Sequence, residues 1–286
     1  MILRKKFRLR LPSRTLVLGE RTLIMGVLNV TPDSFSDGGK SLAPEAAVER
    51  ALAMEREGAD ILDIGGESTR PGSEPLSARD ELDRILPVLK MLRGKLKIPI
   101  SVDTQKAEVA QAAISAGAEI VNDVSALRFD VNLAEIVAQR RAGIILMHIR
   151  GKPRTMQKGP FARDAMSDVT RGLREALRRA KQAGIERPQI LLDPGIGFGK
   201  NYRQNFEILV RLPELARLGY PMVVGTSRKA FIGAALGDAP VEQRVWGTAA
   251  TVAASILGGA HIIRVHDVKE MAQVAKVADR IAAARS

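Results

Sequence analysis

The strongest constraint on the fold is an eightfold alternation of short apolar runs with longer stretches of helical periodicity. The runs are four to six residues long and rich in Val, Ile and Leu, which is typical of buried strands. They lie at about 23–28, 60–64, 98–102, 119–122, 143–148, 189–193, 221–225 and 261–266. Because parallel strands need helical crossovers and eight such units can close on themselves, the pattern predicts an α/β fold, a (β/α)8 TIM barrel.

The length of the chain fits one such barrel. A (β/α)8 barrel uses about 250 residues, the chain has 286, and no linker divides it. We therefore expect residues 1–286 to form a single domain. The first 20 residues contain two short alternating runs around Pro12-Ser13-Arg14, so we predict a β-hairpin over 1–20 that closes the bottom of the barrel.

Signals at the helix ends agree with this assignment. Four glycines each follow a helical stretch and precede an apolar run, as expected where a left-handed residue ends a helix: Gly58, Gly117, Gly143 and Gly184. The clearest helix is the last, where apolar residues from Val268 to Ile281 recur on one stripe. Asp267 stands directly before this helix and is predicted to cap it.

The charge of the chain indicates an anionic partner but not a nucleic acid. There are 44 Lys and Arg residues against 32 Asp and Glu residues, which gives a net charge of +12. A nucleic-acid-binding face interleaves basic residues with stacking aromatics, and only 3% of the residues here are aromatic. We therefore expect no nucleic-acid partner.

Cysteine is absent from the sequence, which excludes disulfides, thiolate metal sites and cysteine catalysis. No apolar stretch reaches the roughly 18 residues of a membrane helix, and the basic N-terminus lacks the apolar core of a signal peptide. We therefore expect a cytoplasmic protein that has no membrane partner.

Polar or ionisable residues follow six of the apolar runs at the point where each run ends. They are Asn29, Asp103, Asn122, His148, Asp193 and His266. Because the carboxyl ends of parallel strands open at one face, we expect these side chains to form a single site. Alternation along the last strand puts Arg264 on the same face as His266, whereas His261 begins that strand and is predicted to be structural.

Loops rich in glycine or polar residues follow several of these strands. Segments 29–39 and 65–72 are long, and Arg70 in the second suits bidentate contact with phosphate. Segment 193–200 carries three glycines but matches neither the P-loop nor the dinucleotide-binding pattern. Segment 225–229 ends on Arg228 and Lys229, which need anionic or carbonyl partners.

Eight sequence blocks carry a resemblance to a known family. In chain order they are MGVLNVTPDSFSDGG, DIGGESTRPG, SVDT, VNDVSA, MHIRGKP, DPGIGFGK, GTSRK and RVHDV. From about residue 21 to its C-terminus the chain resembles the dihydropteroate synthases of folate biosynthesis. The resemblance implies a transferase that condenses 6-hydroxymethyl-7,8-dihydropterin pyrophosphate with 4-aminobenzoate, giving 7,8-dihydropteroate and pyrophosphate. It also implies a homodimer formed through helices of the C-terminal half.

The same resemblance assigns expected roles to individual residues. The pterin pocket is expected to comprise Asp103, Asn122, Met147, Asp193 and Lys229. The pyrophosphate is expected against Asn29, Thr69, Arg70, Arg264 and His266. The aminobenzoate subsite is expected to comprise Phe35, Thr69, Arg70, Pro71, Phe198, Lys200, Ser227 and Arg228. Catalysis is assigned to Asp103, Lys229, Arg264 and His266.

The chemistry of these residue types agrees with such substrates. A pterin edge offers N–H donors beside a carbonyl, so Asp193 can accept from it while Lys229 donates to it. Mg²⁺ is expected with the pyrophosphate, because magnesium binds oxygen and is often shared with substrate phosphates; Asn29 would supply one oxygen, and Asp37 is a possible helper. Many family members carry Ser after Arg-Lys, and this chain has Ala230, which removes one hydroxyl near the aminobenzoate carboxylate.

Other functions are compatible with parts of the pattern. A pterin-binding methyltransferase domain would share the barrel and the pterin edge but needs no pyrophosphate or aminobenzoate subsite. A Schiff-base lyase could use Lys229 at a strand end, which borohydride trapping would test. His148 and His266 could take part in a zinc site, although no ligand cluster with zinc spacing accompanies them. A degenerate, non-enzymatic paralogue would bind its ligand without turnover.

Overall fold

The computed structural model describes residues 4–31, 44–68, 74–152 and 154–284. A hairpin of β1 (Phe7–Arg10) and β2 (Thr15–Leu18) comes first. The barrel strands are β3 (Leu23–Asn29), β4 (Ile61–Gly65), β5 (Ile100–Asp103), β6 (Ile120–Asp123), β7 (Gly143–Met147), β8 (Ile190–Asp193), β9 (Val223–Val224) and β10 (Ile262–Val265). The helices are α1 (Pro44–Glu57), α2 (Ala78–Leu92), α3 (Ala107–Ser115), α4 (Leu133–Arg140), α5 (Ala165–Gln182), α6 (Tyr202–Val210), α7 (Ala230–Ala235), α8 (Val245–Leu257) and α9 (Val268–Ala283).

The eight barrel strands are parallel and follow the order β8-β7-β6-β5-β4-β3-β10-β9. A parallel bridge between Leu192 and Met222 brings the two outer strands of this order together. The predicted (β/α)8 barrel is therefore confirmed. Each predicted run coincides with a strand to within two residues at either end.

Inward-pointing side chains of the lower barrel form an apolar floor with the hairpin. The cluster comprises Leu9, Leu11, Leu18, Leu23, Met25, Ile61, Ile120, Ile145, Leu191, Val223 and Ile262. Leu9 and Leu18 are only 1% and 0% exposed, and each such leucine contributes about 2 kcal/mol by its burial. The hairpin therefore closes the bottom of the barrel, as predicted.

The outward faces of the strands pack against the helices. On α5 the residues Val169, Leu173, Ala176 and Ala180 are buried on one stripe, while its other faces carry charged residues. The helix begins after Asp164, whose carboxylate accepts a hydrogen bond from the Ser167 N–H at 3.0 Å. Among the described residues, no helix is both long and apolar enough to cross a membrane.

His261 fastens the hairpin segment to the bottom of the barrel. Its ring packs edge-on against Phe7, with 5.3 Å between the ring centroids. Its Nδ1 accepts from the Met222 N–H at 3.1 Å, and its Nε2 donates to the Lys5 carbonyl at 3.0 Å. Burial lowers the pKa of His261 to about 4, so the ring is neutral at pH 7. The prediction of a structural role for His261 is confirmed.

Three of the four glycines predicted to end helices do so. Positive φ angles occur at Gly58, Gly117 and Gly184. The prediction for Gly143 is wrong, because Arg141 takes the left-handed position after α4, with φ 51°. Gly143 instead begins β7 above the apolar floor, where a Cβ atom would lie 2.7 Å from Leu11 Cδ2. Glycine is therefore required at position 143, because a side chain there would collide with Leu11.

Candidate active site

Polar side chains occupy the upper half of the barrel interior, above the apolar floor. The register of the sheet makes neighbours of the strand ends, since Asn29 pairs with Gly65 and Gly65 pairs with Asp103. Asp103 pairs in turn with Asn122 on the next strand. Residues that are far apart in the sequence therefore meet at one mouth, as predicted from the pattern of strand ends.

Arg264 on β10 connects several of these side chains. Its Nε donates to Asp63 Oδ2 at 2.6 Å, and its Nη2 donates to Asp103 Oδ2 at 2.7 Å. Asn122 Nδ2 donates to the same oxygen of Asp63 at 3.0 Å. Burial alone would lower the pKa of Arg264, but the charges of Asp63 and Asp103 raise it above its usual value. The guanidinium is therefore held both in place and in its charged form.

Asp63 is a residue that the sequence pattern did not single out. It lies in the middle of β4, is completely buried, and its second oxygen, Oδ1, has no hydrogen-bond partner among the described residues. A signal was nevertheless present, because a carboxylate inside the apolar run ILDIG must have a buried partner. Asp63 is not at a strand end, because it lies two positions before Gly65, the last residue of β4.

Asp103 and Asp193 are strand-end carboxylates that lie near Arg264 and Lys229 at the mouth. Burial raises the pKa of Asp103 to about 7, although the charge of Arg264 acts in the lowering direction. Burial also raises the pKa of Asp193, against the charge of Lys229 and the Gly195 N–H, which donates to Oδ1 at 2.6 Å. N–H donors of a ligand would stabilise the ionised forms of both groups.

Lys229 faces these carboxylates from the segment between β9 and α7. Its Nζ donates to the carbonyl oxygen of Ile196 and lies 4.8 Å from the ring centroid of Phe198. Burial lowers the pKa of Lys229 to about 8, while the charge of Asp193 acts to raise it. The amine is therefore mostly protonated at pH 7 and presents a cationic donor rather than a nucleophile.

Lys200 does not have the position expected of an aminobenzoate contact. It is 3% exposed, and its Nζ donates to the carbonyls of His148, Gly195 and Phe198 at 3.0, 2.8 and 3.0 Å. Nζ also lies 2.9 Å from His148 Nδ1. Lys200 therefore binds the loop after β8 to the end of β7, and its ammonium group is not available to a ligand. His148 is turned toward Lys200 and does not join the residues at the mouth.

Ser227 and Arg228 have partners of their own in this structure. Ser227 Oγ lies 2.9 Å from His266 Nδ1 and accepts from the His266 N–H at 3.2 Å. Arg228 forms a two-point ion pair with Asp267, with 2.9 Å between Nε and Oδ2. This pair replaces the predicted cap, since no side-chain bond from Asp267 reaches the α9 backbone. A ligand carboxylate would share Arg228 with Asp267.

Met147 and Phe198 supply an apolar wall. Met147 ends β7, is paired with Asp193 on β8, and lies in a small cluster with Val124, Ile149 and Met156, against which Phe198 packs. The remaining predicted site residues lie outside the described residues: Phe35, Asp37, Thr69, Arg70 and Pro71.

No group of three histidine, aspartate or glutamate side chains in the described ranges could hold a metal ion. The zinc alternative at His148 and His266 therefore gains no third ligand there. Asn29 stands at the mouth, where its Oδ1 lies 3.9 Å from the position that a Cβ atom on Gly65 would take.

The arrangement offers two kinds of recognition. Buried carboxylates, an amide and an ammonium group around one opening can bind the edge of a flat heterocycle that has N–H donors and a carbonyl. Arg264 and His266 add cationic or donor groups that suit phosphate oxygens.

Comparison with known proteins agrees with this geometry. The family model described as pterin binding enzyme matches residues 25–266. The dihydropteroate synthase of Synechocystis sp. is 50% identical over 263 residues, which are 92% of this chain and 91% of that protein. The dihydropteroate synthase of Bacillus subtilis is 46% identical, over 91% of this chain and 88% of that protein.

Solved structures are similar over nearly the whole chain. The dihydropteroate synthase of Xanthomonas albilineans with 4-aminobenzoic acid has a TM-score of 0.90 and 42% identity, over 97% of this chain and 98% of that one. The same enzyme in complex with 7,8-dihydropteroate has a TM-score of 0.86 and 40% identity, over 96% of this chain and 98% of that one.

Proposed function

The chain belongs to the family of pterin-binding enzymes, and within it to the dihydropteroate synthases; from this membership we propose how it carries out the family's reaction. The reaction joins 6-hydroxymethyl-7,8-dihydropterin pyrophosphate to 4-aminobenzoate and releases 7,8-dihydropteroate and pyrophosphate. The observation that carries the proposal is the meeting of Asp103, Asp193 and Lys229 beside Arg264 at the mouth of the barrel.

The pterin binds by its edge between Asp103, Asp193 and Lys229. Asp193 accepts from the 2-amino group and the adjacent ring N–H, and Lys229 donates to the carbonyl and a ring nitrogen. Asn122 and Asp103 complete the edge, and Met147 packs on the ring. Burial disfavours the ionised forms of Asp103 and Asp193 in the free protein. N–H donors of the bound substrate stabilise these ionised forms and so offset the free-energy cost of their burial.

Arg264, His266 and Asn29 bind the pyrophosphate, together with Thr69 and Arg70. Mg²⁺ fits this donor set as a shared ion, because Asn29 offers one neutral oxygen and no three-ligand cluster of acidic or histidine side chains accompanies it among the described residues. When bound, the ion neutralises part of the diphosphate charge. Chelation should lower turnover without unfolding the protein.

The C–O bond to the diphosphate breaks ahead of attack by the amine. The electron-rich dihydropterin delocalises the positive charge that develops on its exocyclic methylene, and ionised Asp103 stabilises that charge. Arg264 and His266 stabilise the departing pyrophosphate. The arylamine is neutral at pH 7 and attacks the cationic methylene directly, and its nitrogen then loses one proton to solvent. Because the amine attacks the substrate itself, no covalent enzyme intermediate is needed.

The aminobenzoate lies toward Ser227, Phe198 and the segment 69–71. Ser227 Oγ offers a hydroxyl beside His266, and Arg228 offers a guanidinium that it shares with Asp267. Ala230 is the exposed first residue of α7, so the chain contributes no hydroxyl at that position.

A direct assay tests the reaction. Purified protein with both substrates and Mg²⁺ should release 7,8-dihydropteroate and pyrophosphate in equal amounts. Absence of turnover contradicts the proposal. Methyl transfer to or from a pterin, without dihydropteroate formation, would instead favour the methyltransferase alternative, and borohydride trapping of Lys229 would favour the lyase.

The acid limb of the pH profile should belong to Asp103. Because burial raises its pKa to about 7, the carboxyl is protonated below that pH and cannot stabilise the pterin cation. We expect kcat/KM for the pterin substrate to fall about tenfold per unit below pH 7. Asp103→Asn should have low activity and lack this limb; an unchanged limb in the variant contradicts the assignment.

A homodimer is supported by apolar residues exposed on helices of the C-terminal half. Trp246 on α8 and Val210 on α6 are 79% and 81% exposed, with Leu236 and Phe206 nearby on elements that pack together. Such a surface is stabilised when a second copy covers it. Sedimentation should give twice the 30.9 kDa chain mass, and a single-chain mass contradicts the dimer. The absence of cysteine is compatible with the reducing cytoplasm.

A further inference from the structure

A second cavity lies between α5 and the segments that follow β6 and β7. Its volume is about 290 Å³. Met147 and His148 form part of its wall, but the remaining wall comes from α5 and from residues 126–128 and 149–151. The cavity therefore shares Met147 with the proposed pterin pocket, but Asp103, Asp193 and Arg264 do not line it.

The wall of this cavity carries more positive than negative charge. Four arginines line it, Arg128, Arg150, Arg171 and Arg179, against two carboxylates, Asp168 and Glu175. His148 adds no charge, because burial and the surrounding cations lower its pKa to about 2. Its ring faces Asp168 with 3.6 Å between Nε2 and Oδ2.

The carboxylate of Asp168 is already engaged by two of the arginines. Arg150 Nη1 lies 3.2 Å from its Oδ2, and Arg171 Nη2 bonds its Oδ1. Among the described residues, neither Arg128 nor Arg179 forms an ion pair with a carboxylate. Two of the four guanidinium groups therefore face the cavity without a counter-charge in hydrogen-bond contact.

Backbone carbonyls hold these two guanidinium groups in place. Arg128 donates to the carbonyls of Ser125 and Ile149 at 3.0 and 2.7 Å, and Arg179 donates to the Ala126 carbonyl at 3.2 and 2.9 Å. Partial burial lowers the pKa of both groups, although Arg128 as a whole residue is exposed and Arg179 is half-buried. An anion in the cavity would favour their charged forms.

The backbone beside Arg128 is also strained. Ala126 and Leu127 have φ angles of 53° and 63°, a region that residues other than glycine rarely occupy. Such strain persists where the surroundings impose it, and it concentrates at ligand clamps. Arg179 contributes here by binding the Ala126 carbonyl.

From the cavity, its unpaired guanidinium groups and the strained segment, we propose that this is a binding site for a small phosphate-bearing anion. Guanidinium forks match phosphate oxygens, and several can bind one group from different sides. The volume accommodates pyrophosphate or the phosphate group of a small phosphoester. This site is distinct from the pyrophosphate subsite at Arg264 and His266.

Calorimetric titration of the full-length protein with pyrophosphate, in the absence of Mg²⁺, tests the proposal. Wild-type protein should bind two pyrophosphate molecules per chain. Arg171→Gln should weaken one of the two by about tenfold, since it removes a positive charge from the wall and leaves Asp168 with Arg150 as its remaining arginine partner. Arg174→Gln is the matched control: it removes the same charge from an exposed position of α5 that does not line the cavity.

Glu175→Gln supplies a test of opposite sign, because it removes a negative charge from the wall and should strengthen the same binding event. Arg171 and Glu175 lie on the outer part of α5, so melting temperatures should stay close to wild type and show that each variant folds. Equal effects of Arg171→Gln and Arg174→Gln on pyrophosphate binding, or no effect of Glu175→Gln, would overturn the proposal.

Discussion

Replacing Asp193 with alanine is expected to weaken pterin binding by at least a hundredfold. In the proposed pose the carboxylate accepts two N–H groups of the pterin, and alanine leaves both donors buried without an acceptor, at a cost of about 1–3 kcal/mol each. Lys229, whose charge acts on Asp193, cannot substitute for it because its ammonium group is itself a donor. Calorimetry with the pterin alone, without its diphosphate, isolates this contact.

Asp193→Asn separates ligand recognition from the local fold. Asparagine can still accept from the Gly195 N–H, as Oδ1 does now at 2.6 Å, but it presents an NH2 group to donors of the ligand. We expect both variants to lose pterin binding, with the asparagine variant closer to wild type in thermal stability. Unchanged affinity in either variant would refute the assignment of Asp193.

Asp123 provides a control that separates the loss of a buried carboxylate from the loss of a pterin contact. It ends β6 as Asp193 ends β8, but its carboxylate accepts from the N–H groups of Ser125 and Leu127 instead of facing the pterin. Asp123→Asn should therefore reduce stability and leave pterin affinity within about twofold. A large loss of pterin affinity in Asp123→Asn would mean that replacing any buried strand-end carboxylate disturbs the structure of the barrel mouth.

The fold could be predicted from the sequence because its signals are local. Each barrel strand is an apolar run bounded by glycine or polar residues, and all eight were located to within two residues. Because the strands of the barrel are parallel, their carboxyl ends lie at one face. Residues at these ends can therefore be placed near one another without knowledge of any contact between them. This reasoning places Asn29, Asp103, Asn122 and Asp193 at the same face of the barrel.

The predictions that failed depend on contacts between distant segments. Lys200 follows a glycine-rich loop and resembles a ligand contact in sequence, but its acceptors come from His148, Gly195 and Phe198 after folding. Asp267 is well placed to cap α9, and a long-range partner, Arg228, competes successfully for its carboxylate. Local sequence preferences predict which residue can cap a helix, but they do not show which distant residue will bind the same side chain instead.

Replacing Arg264 with alanine is expected to affect the diphosphate far more than the pterin. The guanidinium faces the proposed pyrophosphate position, and each charge-assisted hydrogen bond to a phosphate is worth about 1.5–3 kcal/mol. Affinity for the pterin pyrophosphate should therefore fall by about a hundredfold or more, and affinity for the pterin alone by much less. Calorimetry with both ligands on one protein preparation gives the ratio directly.

Loss of Arg264 should also lower stability, because Asp63 and Asp103 would remain as buried carboxylates without a cation. Breaking a buried ion pair on one side costs about 3–5 kcal/mol. Asp63→Asn combined with Arg264→Gln removes one of the stranded charges and should recover part of that loss. Equal loss of affinity for both ligands in a variant that remains folded would make Arg264 a scaffold residue.

The pH dependence of this instability distinguishes unpaired charge from lost packing. Without Arg264 the folded-state pKa of Asp103, which burial already raises to about 7, rises further, while its pKa in the unfolded chain does not change. The folded protein then binds this proton more tightly, so its stability falls as pH rises. The stability gap between wild type and Arg264→Ala should therefore widen from pH 6 to pH 8. A gap that is constant over this range would indicate lost packing, and Asp63 and Asp103 would then not be the partners that make Arg264 necessary.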